Sequence, residues 1–260
     1  MIPNDTLGTL QKCRVTILVK ALPQRSARHG ETVCCAGVTP QGQFKRLYPV
    51  RFRHLKEEAA FKRWDFVDFK YGRPPHDTRR ESCRVFEDSI LVDGEMPKSE
   101  RAKILNPLIV SSIERAASQG DSLALIRPIS PRFTYKRKTD EQLADERASY
   151  KLAASQSSFF DDDLAALEPT PFEFRFKFRD DEASHDFSNG DWEAHAMYYS
   201  GRQRGQSEIE VLEWMDQIFN VDYARRGMIF AVGNQAKRPQ TWQLLGVLRV
   251  DATDQMAMSF

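Results

Sequence analysis

A mainly β fold of barrel type with additional helices is what this sequence predicts, and three observations carry it. Phe172-Glu-Phe-Arg-Phe-Lys-Phe178 alternates with period two, so that one face of a strand is entirely Phe. Short β-branched segments bounded by turn residues recur through the first hundred positions. The longest helix-period pattern, over 98–119, contains Pro107, which must begin or kink it. At 260 residues the chain has the length of one large domain or two small ones. Its 41% hydrophobic and 29% charged residues exclude collagen-like, wholly disordered and disulfide-dense classes.

In chain order, 13–20 and 32–38 are strands on either side of a polar, Gly-containing loop. Pro40-Gln-Gly-Gln43 has turn chemistry and leads into a third strand over 44–50, which makes a meander. Leu55, Ala59 and Arg63 follow helical spacing and predict a short helix over 55–64 across a barrel end. Strands follow at 65–71 and 79–91, then one amphipathic helix over 98–119, stopped by Gly120, and a strand over 122–126. Pro128, Pro131, the basic Lys136-Arg-Lys138 and an acid-rich helical stretch make a connecting segment, and Asp161-Asp-Asp163 reads as a solvated linker. After the Phe strand, 207–219 is a helix, and 228–233 and 242–250 are closing strands. No internal repeat is evident.

Charge is unevenly distributed. Residues 1–80 hold 16 Lys or Arg against 7 Asp or Glu, a balance of +9, and the rest hold 22 against 30, a balance of −8. A basic half suits a polyanionic partner, because Lys and Arg on phosphates supply most non-specific nucleic-acid affinity. Residues 44–54 interleave cations with aromatics, and Lys62-Arg63-Trp64 repeats the theme. The binding candidates are Arg46, Tyr48, Arg51, Arg53, Lys62 and Arg63, joined by Arg25 and Arg28 on the loop before the second strand. Aromatic rings stack on bases for about 1–3 kcal/mol each while cations track the backbone, without a required base sequence. Phe44, Phe52 and Trp64 are expected to face the interior instead.

Asp191, Glu193 and His195, preceded by His185, would share one face of a strand and could in principle bind a metal or act as acid and base. No HExxH, GxSxG or Walker motif supports them, so Asp191 is expected to be a structural hydrogen-bonding residue beside a packed Trp192, with no catalysis, metal or cofactor. Cys13, Cys34, Cys35 and Cys83 form no CxxC pair and are expected to be reduced. No apolar stretch approaches the roughly 20 residues of a spanning helix, and the amino terminus shows no signal-like apolar region, so a cytoplasmic location is expected.

His29-Gly-Glu-Thr-Val-Cys-Cys-Ala-Gly-Val38, Arg46-Leu-Tyr-Pro-Val-Arg-Phe-Arg-His-Leu55, Phe61-Lys-Arg-Trp-Asp-Phe66, Asp191-Trp-Glu193, Phe230-Ala-Val-Gly233 and Trp242-Gln-Leu-Leu-Gly-Val247 resemble the dual OB-fold domain of bacterial conflict and phage-defence systems. The resemblance implies two OB-fold-like barrels in tandem and a nucleic-acid recognition role. With it the chain divides into a first barrel with an appended helix over 1–127, a connecting segment over 128–171 and a second barrel over 172–260. Some members carry a Cys and His cluster just before the Asp-Trp-Glu segment, where this chain has only His185, so no zinc site is expected. The expected partner is DNA or RNA; one alternative is an adaptor role, in which the basic half docks on an acidic protein partner of the same system, and another is a metal-dependent nuclease centred on Asp191, Glu193 and His195.

Overall fold

Five strands of the amino-terminal half close into a ring in the computed structural model, which describes residues 10–22, 24–26, 30–52, 55, 57–157 and 168–251. The strands of this half are β1 (Gln11–Lys20), β2 (Gln24–Ser26), β3 (Gly30–Thr32), β4 (Cys35–Val38), β5 (Phe44–Tyr48), β6 (Asp65–Gly72) and β7 (Ser82–Glu95). The ring runs β1-β4-β5-β7-β6 and returns to β1, while β2 and β3 pair as a separate hairpin. Residues 11–16 of β1 pair with β6 and residues 16–20 with β4; only β5 and β7 are parallel. Val15 and Ile17 point into the barrel with Leu47, Val67 and Phe69. A register shift between Ile17 and Val19 lets Leu18 and Val19 pack outside it, against Leu125, Ile229 and Leu248. That is why the run from Val15 to Val19 is apolar without alternation. At Gly37 any Cβ would lie 2.4 Å from the Thr16 carbonyl oxygen, so β1 and β4 meet there only over glycine.

Two predicted helices differ in the structure. Within 55–64 the described residues hold a single 3-10 turn, Glu57–Ala59, because the Trp64 N–H is drawn to the Ile17 carbonyl and the Lys62 N–H to Asp65, which pulls the chain into the ring. The helix expected over 98–119 splits into α1 (Lys98–Leu105) and α2 (Ile113–Ser118). Between them a turn carries Pro107, which has no N–H to give a helix, and the two-residue strand β8 (Ile109–Val110) recovers backbone bonds by pairing with β9 (Leu123–Ile126).

The carboxyl-terminal half continues with β10 (Ile129–Arg137), α3 (Asp140–Ser157), β11 (Phe172–Arg179), β12 (Ser184–Ser188), α4 (Trp192–Gln203), α5 (Glu208–Asp216), β13 (Met228–Gln235) and β14 (Arg238–Arg249). It forms two sheets, β10-β11-β12 and β14-β13-β9-β8, rather than a closed ring. The pairing plan nevertheless repeats that of the first half. β9 pairs with β13 and, beyond Arg127-Pro128, β10 pairs with β11, as the two parts of β1 do with β6 and β4. β13 and β14 are antiparallel, as β6 and β7 are, and the bridge Asn189↔Leu244 beyond β12 is parallel, as β5 and β7 are. The 122–126 strand pairs with β13 and β10 of the 128–171 segment pairs with β11, whereas α3 of that segment lies against β2 and β3. Phe172, Phe174, Phe176 and Phe178 all point inward, where Phe133, Phe219 and Phe230 meet the last three at ring distances of 4.9–5.7 Å.

The halves share a core and are locked by polar bonds across it. Leu18, Val19, Trp64, Met96 and Leu105 pack with Leu123, Leu125, Ile229, Ala231 and Val250. Asp191, 1% exposed, accepts two bonds from Arg63 Nη2 at 2.6 and 2.7 Å and one from the Val247 N–H at 2.9 Å. The Arg63 Nη1 donates to the Val247 carbonyl at 2.6 Å. Arg46 donates from Nε to Glu81 at 3.0 Å and from Nη2 to the Ser122 carbonyl. Gly233 makes room for it, since a Cβ there would lie 2.6 Å from Arg46 Nη2. Removing one charge of a buried, hydrogen-bonded pair leaves the other uncompensated. Asp191→Asn is therefore expected to destabilise the protein by about 3 kcal/mol or more in urea unfolding; a loss below about 1 kcal/mol would show that Arg63 finds compensation elsewhere.

Candidate nucleic-acid interface

The cations singled out by sequence do not form one surface. Arg46, 4% exposed, and Arg63, its side chain 12% exposed, are the seam locks just described. Arg51 is half exposed, and its Nε is paired with Glu87 at 2.8 Å. Tyr48 and Lys62 are exposed. Arg25 lies on β2 with its side chain outside the described residues, and Arg28 and Arg53 lie outside them altogether. Of the three aromatics, Trp64 is buried, Phe44 packs on the seam cluster and Phe52 packs edge-on against Phe61 and Trp192 at 5.1 and 5.4 Å.

A different cationic site lies at one mouth of the barrel. Gln11 from the start of β1, Lys45 from β5, Tyr71 and Gly72 from the end of β6, Arg73 and Arg80 from the loop between β6 and β7, and Ser82 of β7 line a cavity of about 370 Å³. No carboxylate is among them. The Lys45 ammonium stands 5.6 Å from the centre of the Tyr71 ring, and the Tyr71 hydroxyl donates to Gln11 at 2.5 Å, so the ring is held at both its face and its tip. Arg73 is exposed, and Arg80, 74% exposed, reaches Asp121 at 2.8 Å. Beneath the mouth burial pushes the Cys83 thiol up to about 12, so it stays protonated and unreactive. Three cations and a ring edge on a cavity without acid suit a phosphate chain with a base beside it. Sequence pattern pointed to Lys45 only as part of the cation-aromatic run; Arg73 and Arg80 lie seven residues apart on a loop, and only ring closure brings them to Lys45 and Gln11.

A second basic surface is the outer face of the sheet of β10 and β11. Arg132 stands directly opposite Lys177, with Arg175 and Arg179 alternate on the same strand as Lys177. Arg132 and Lys177 are exposed, and like charges at directly opposed positions repel. Arg175 is held by Glu173 at 2.6 Å and Asp186 at 2.9 Å.

Asp191, Glu193 and His195 sit at the N-cap and on helix α4, not on a strand, whereas His185 lies on β12. Asp191 is the N-cap, its side chain accepting the Glu193 N–H, and Glu193 is ion-paired with Lys20 at 3.0 Å. Trp192 packs against the barrel core, in line with the packed role expected of it. His185 meets Asp180 at 2.8 Å; burial works against that carboxylate's charge, but the N–H groups of Ile113, Ala183 and Glu182 hold it below its usual range. Among the described residues no group of three or more His, Cys, Asp or Glu is placed to hold a metal ion. No helix is long and apolar enough to cross a membrane among them.

Residues 11–107 match the family model of a domain of unknown function, DUF8758, and residues 109–259 match that of a second domain of unknown function, DUF8757. The boundary between them falls at the Pro107 turn. No curated protein matches the chain.

His195 is buried in the aromatic core, 5.1 Å from the Phe174 ring, with Nε2 3.3 Å from the Asn189 carbonyl and Nδ1 2.9 Å from the Thr170 hydroxyl. Burial pushes its pKa from 6.5 down to about 4. The unfolded chain therefore takes up the proton first, so stability is full above pH 6.5 and falls as pH drops from there to about 4. The loss reaches roughly 3 kcal/mol. Unfolding midpoints measured across that window are expected to fall in the wild type and to stay flat in His195→Gln relative to its own value at neutral pH.

Proposed function

The chain belongs to the DUF8757 family of domains of unknown function, and we propose that it is a nucleic-acid-binding module built from two OB-fold-like barrels in tandem. The strand plan supports the barrel reading. Counting β1, β4, β5, β6 and β7 as first to fifth, the ring order is first, second, third, fifth, fourth, with third and fifth parallel. This is the order of a five-stranded OB barrel, and β9 with β10, β11, β12, β13 and β14 follow it again, more openly.

The observation that carries the function is the acid-free cationic mouth of the first barrel. OB-folds bind oligonucleotides through the loops joining the first to the second and the fourth to the fifth strand. Arg73 and Arg80 lie on the fourth-to-fifth loop, and Arg25, on β2, falls between the first and second strands. The exposed pair Arg132 and Lys177 extends positive charge onto the first and second strands of the other half. The protein would grip phosphates without chemistry of its own, and the resemblance noted above suggests a role for such a module in a bacterial conflict or phage-defence system.

The test is fluorescence-polarisation binding to labelled single-stranded and duplex DNA and RNA at several salt concentrations. The wild type is expected to bind at least one polymer with an affinity that falls as salt rises. Arg73→Glu/Arg80→Glu, at two exposed positions, is expected to weaken binding and to reduce the salt slope by about two. Binding to no polymer, or binding unchanged by the double reversal, would overturn this reading.

A further inference from the structure

A second cavity of about 370 Å³ opens on the seam between the halves, lined by Arg63, Trp64, Lys98, Arg101, Glu193, Met197, Tyr223, Arg249 and Asp251. Its size is that of a small-ligand site. Four of these residues are cations and two are carboxylates. Arg249 and Asp251 are bidentate partners at 2.6 and 2.8 Å, the buried Asp191 holds Arg63, and the exposed Glu95 pairs with Arg101. Lys98 forms no ion pair among the described residues. It is also the first residue of α1, whose N-cap is Pro97 with no side-chain cap, so the positive end of that helix lies at the cavity.

Two further features point to a ligand. Arg101 lies 4.2 Å over the Trp64 ring with its side chain 11% exposed, and burial holds its pKa below the ordinary arginine value despite Glu95. Trp64 has φ of 77°, a conformation that bulky residues avoid, held there by backbone bonds to Ile17 and Met96 of 2.8 Å each. Strain of this kind gathers at ligand clamps.

We propose that the seam cavity binds a phosphate-bearing small molecule of nucleoside-monophosphate or pyrophosphate size, with Lys98 and Arg101 on the phosphate. A phosphate carries enough charge and acceptor oxygens to meet cations arriving from α1, β14 and the 62–64 turn, where a carboxylate would leave donors unanswered. Such a ligand would touch both halves and tighten the seam. The same group occurs at the end of a nucleic-acid strand, so the test has two arms.

Pyrophosphate and AMP are titrated by calorimetry in one arm, and 5′-phosphorylated and 5′-hydroxyl forms of one oligonucleotide are compared in the other. The site predicts saturable binding of pyrophosphate or AMP with Kd below ~1 mM, or a preference of at least about tenfold for the phosphorylated end. Lys98→Glu, at an exposed position that leaves the fold intact, and Arg101→Met, which keeps the stem on Trp64, are each expected to weaken that binding by about tenfold or more. Arg73→Glu/Arg80→Glu is expected to leave it unchanged, so this site and the barrel mouth stand or fall separately. Absence of binding in both arms, or binding that survives both Lys98→Glu and Arg101→Met, would overturn the proposal.

Discussion

The Asp191 carboxylate ties three segments that are far apart in the chain. It caps α4, accepts the Val247 N–H of β14, and holds the Arg63 guanidinium of the turn that leads into β6. A buried pair of this kind adds little net stability over a well-packed apolar seam, but it tolerates no sliding, because any shift strands a charge in the interior. It therefore fixes where the second half sits on the first. Trp64, next in the chain to Arg63, and the seam cavity lie beside that pair.

The other bonds across the seam obey the same chemistry. Lys20 reaches Glu193, Arg46 reaches the Ser122 carbonyl, Arg79 reaches the Asn234 carbonyl and Arg80 reaches Asp121. In each the cation comes from the basic amino-terminal half and the acceptor from the other. Part of the charge asymmetry of the sequence is thus answered inside the molecule. Other cations remain turned outward, among them Arg73 at the barrel mouth and Arg132 and Lys177 on the sheet, and these can meet a polyanion.

One strand plan is used twice with opposite accommodations. In the first half the ring is continuous, and Gly37 and the shift at Ile17 let β1 bend through it. In the second, Pro128 breaks the corresponding strand into β9 and β10, four Phe side chains of β11 are buried in the core, and the parallel contact is the bridge Asn189↔Leu244. Two sequences with no detectable repeat reach one topology because the plan depends on which strand edges are left to pair, not on which apolar residues fill the centre.

The β-rich class, the Phe face of β11, the β13-β14 pair and the structural role of Asp191 were legible in the sequence, since each rests on local periodicity or on the chemistry of a short segment. The break at Pro107 was legible as a residue but not as an outcome: β8 exists only because β9 lies ready to pair with it. The binding candidates were read from a run of cations and aromatics, which shows where charge is but not which charges have partners. Arg46 and Arg63 found acceptors more than seventy residues away and were drawn into the seam, whereas Gln11, Lys45, Arg73 and Arg80 were gathered into one mouth by ring closure. Periodicity encodes which face of an element is buried; the identity of what buries it, and hence which cations stay free for a ligand, is decided only when distant strands meet.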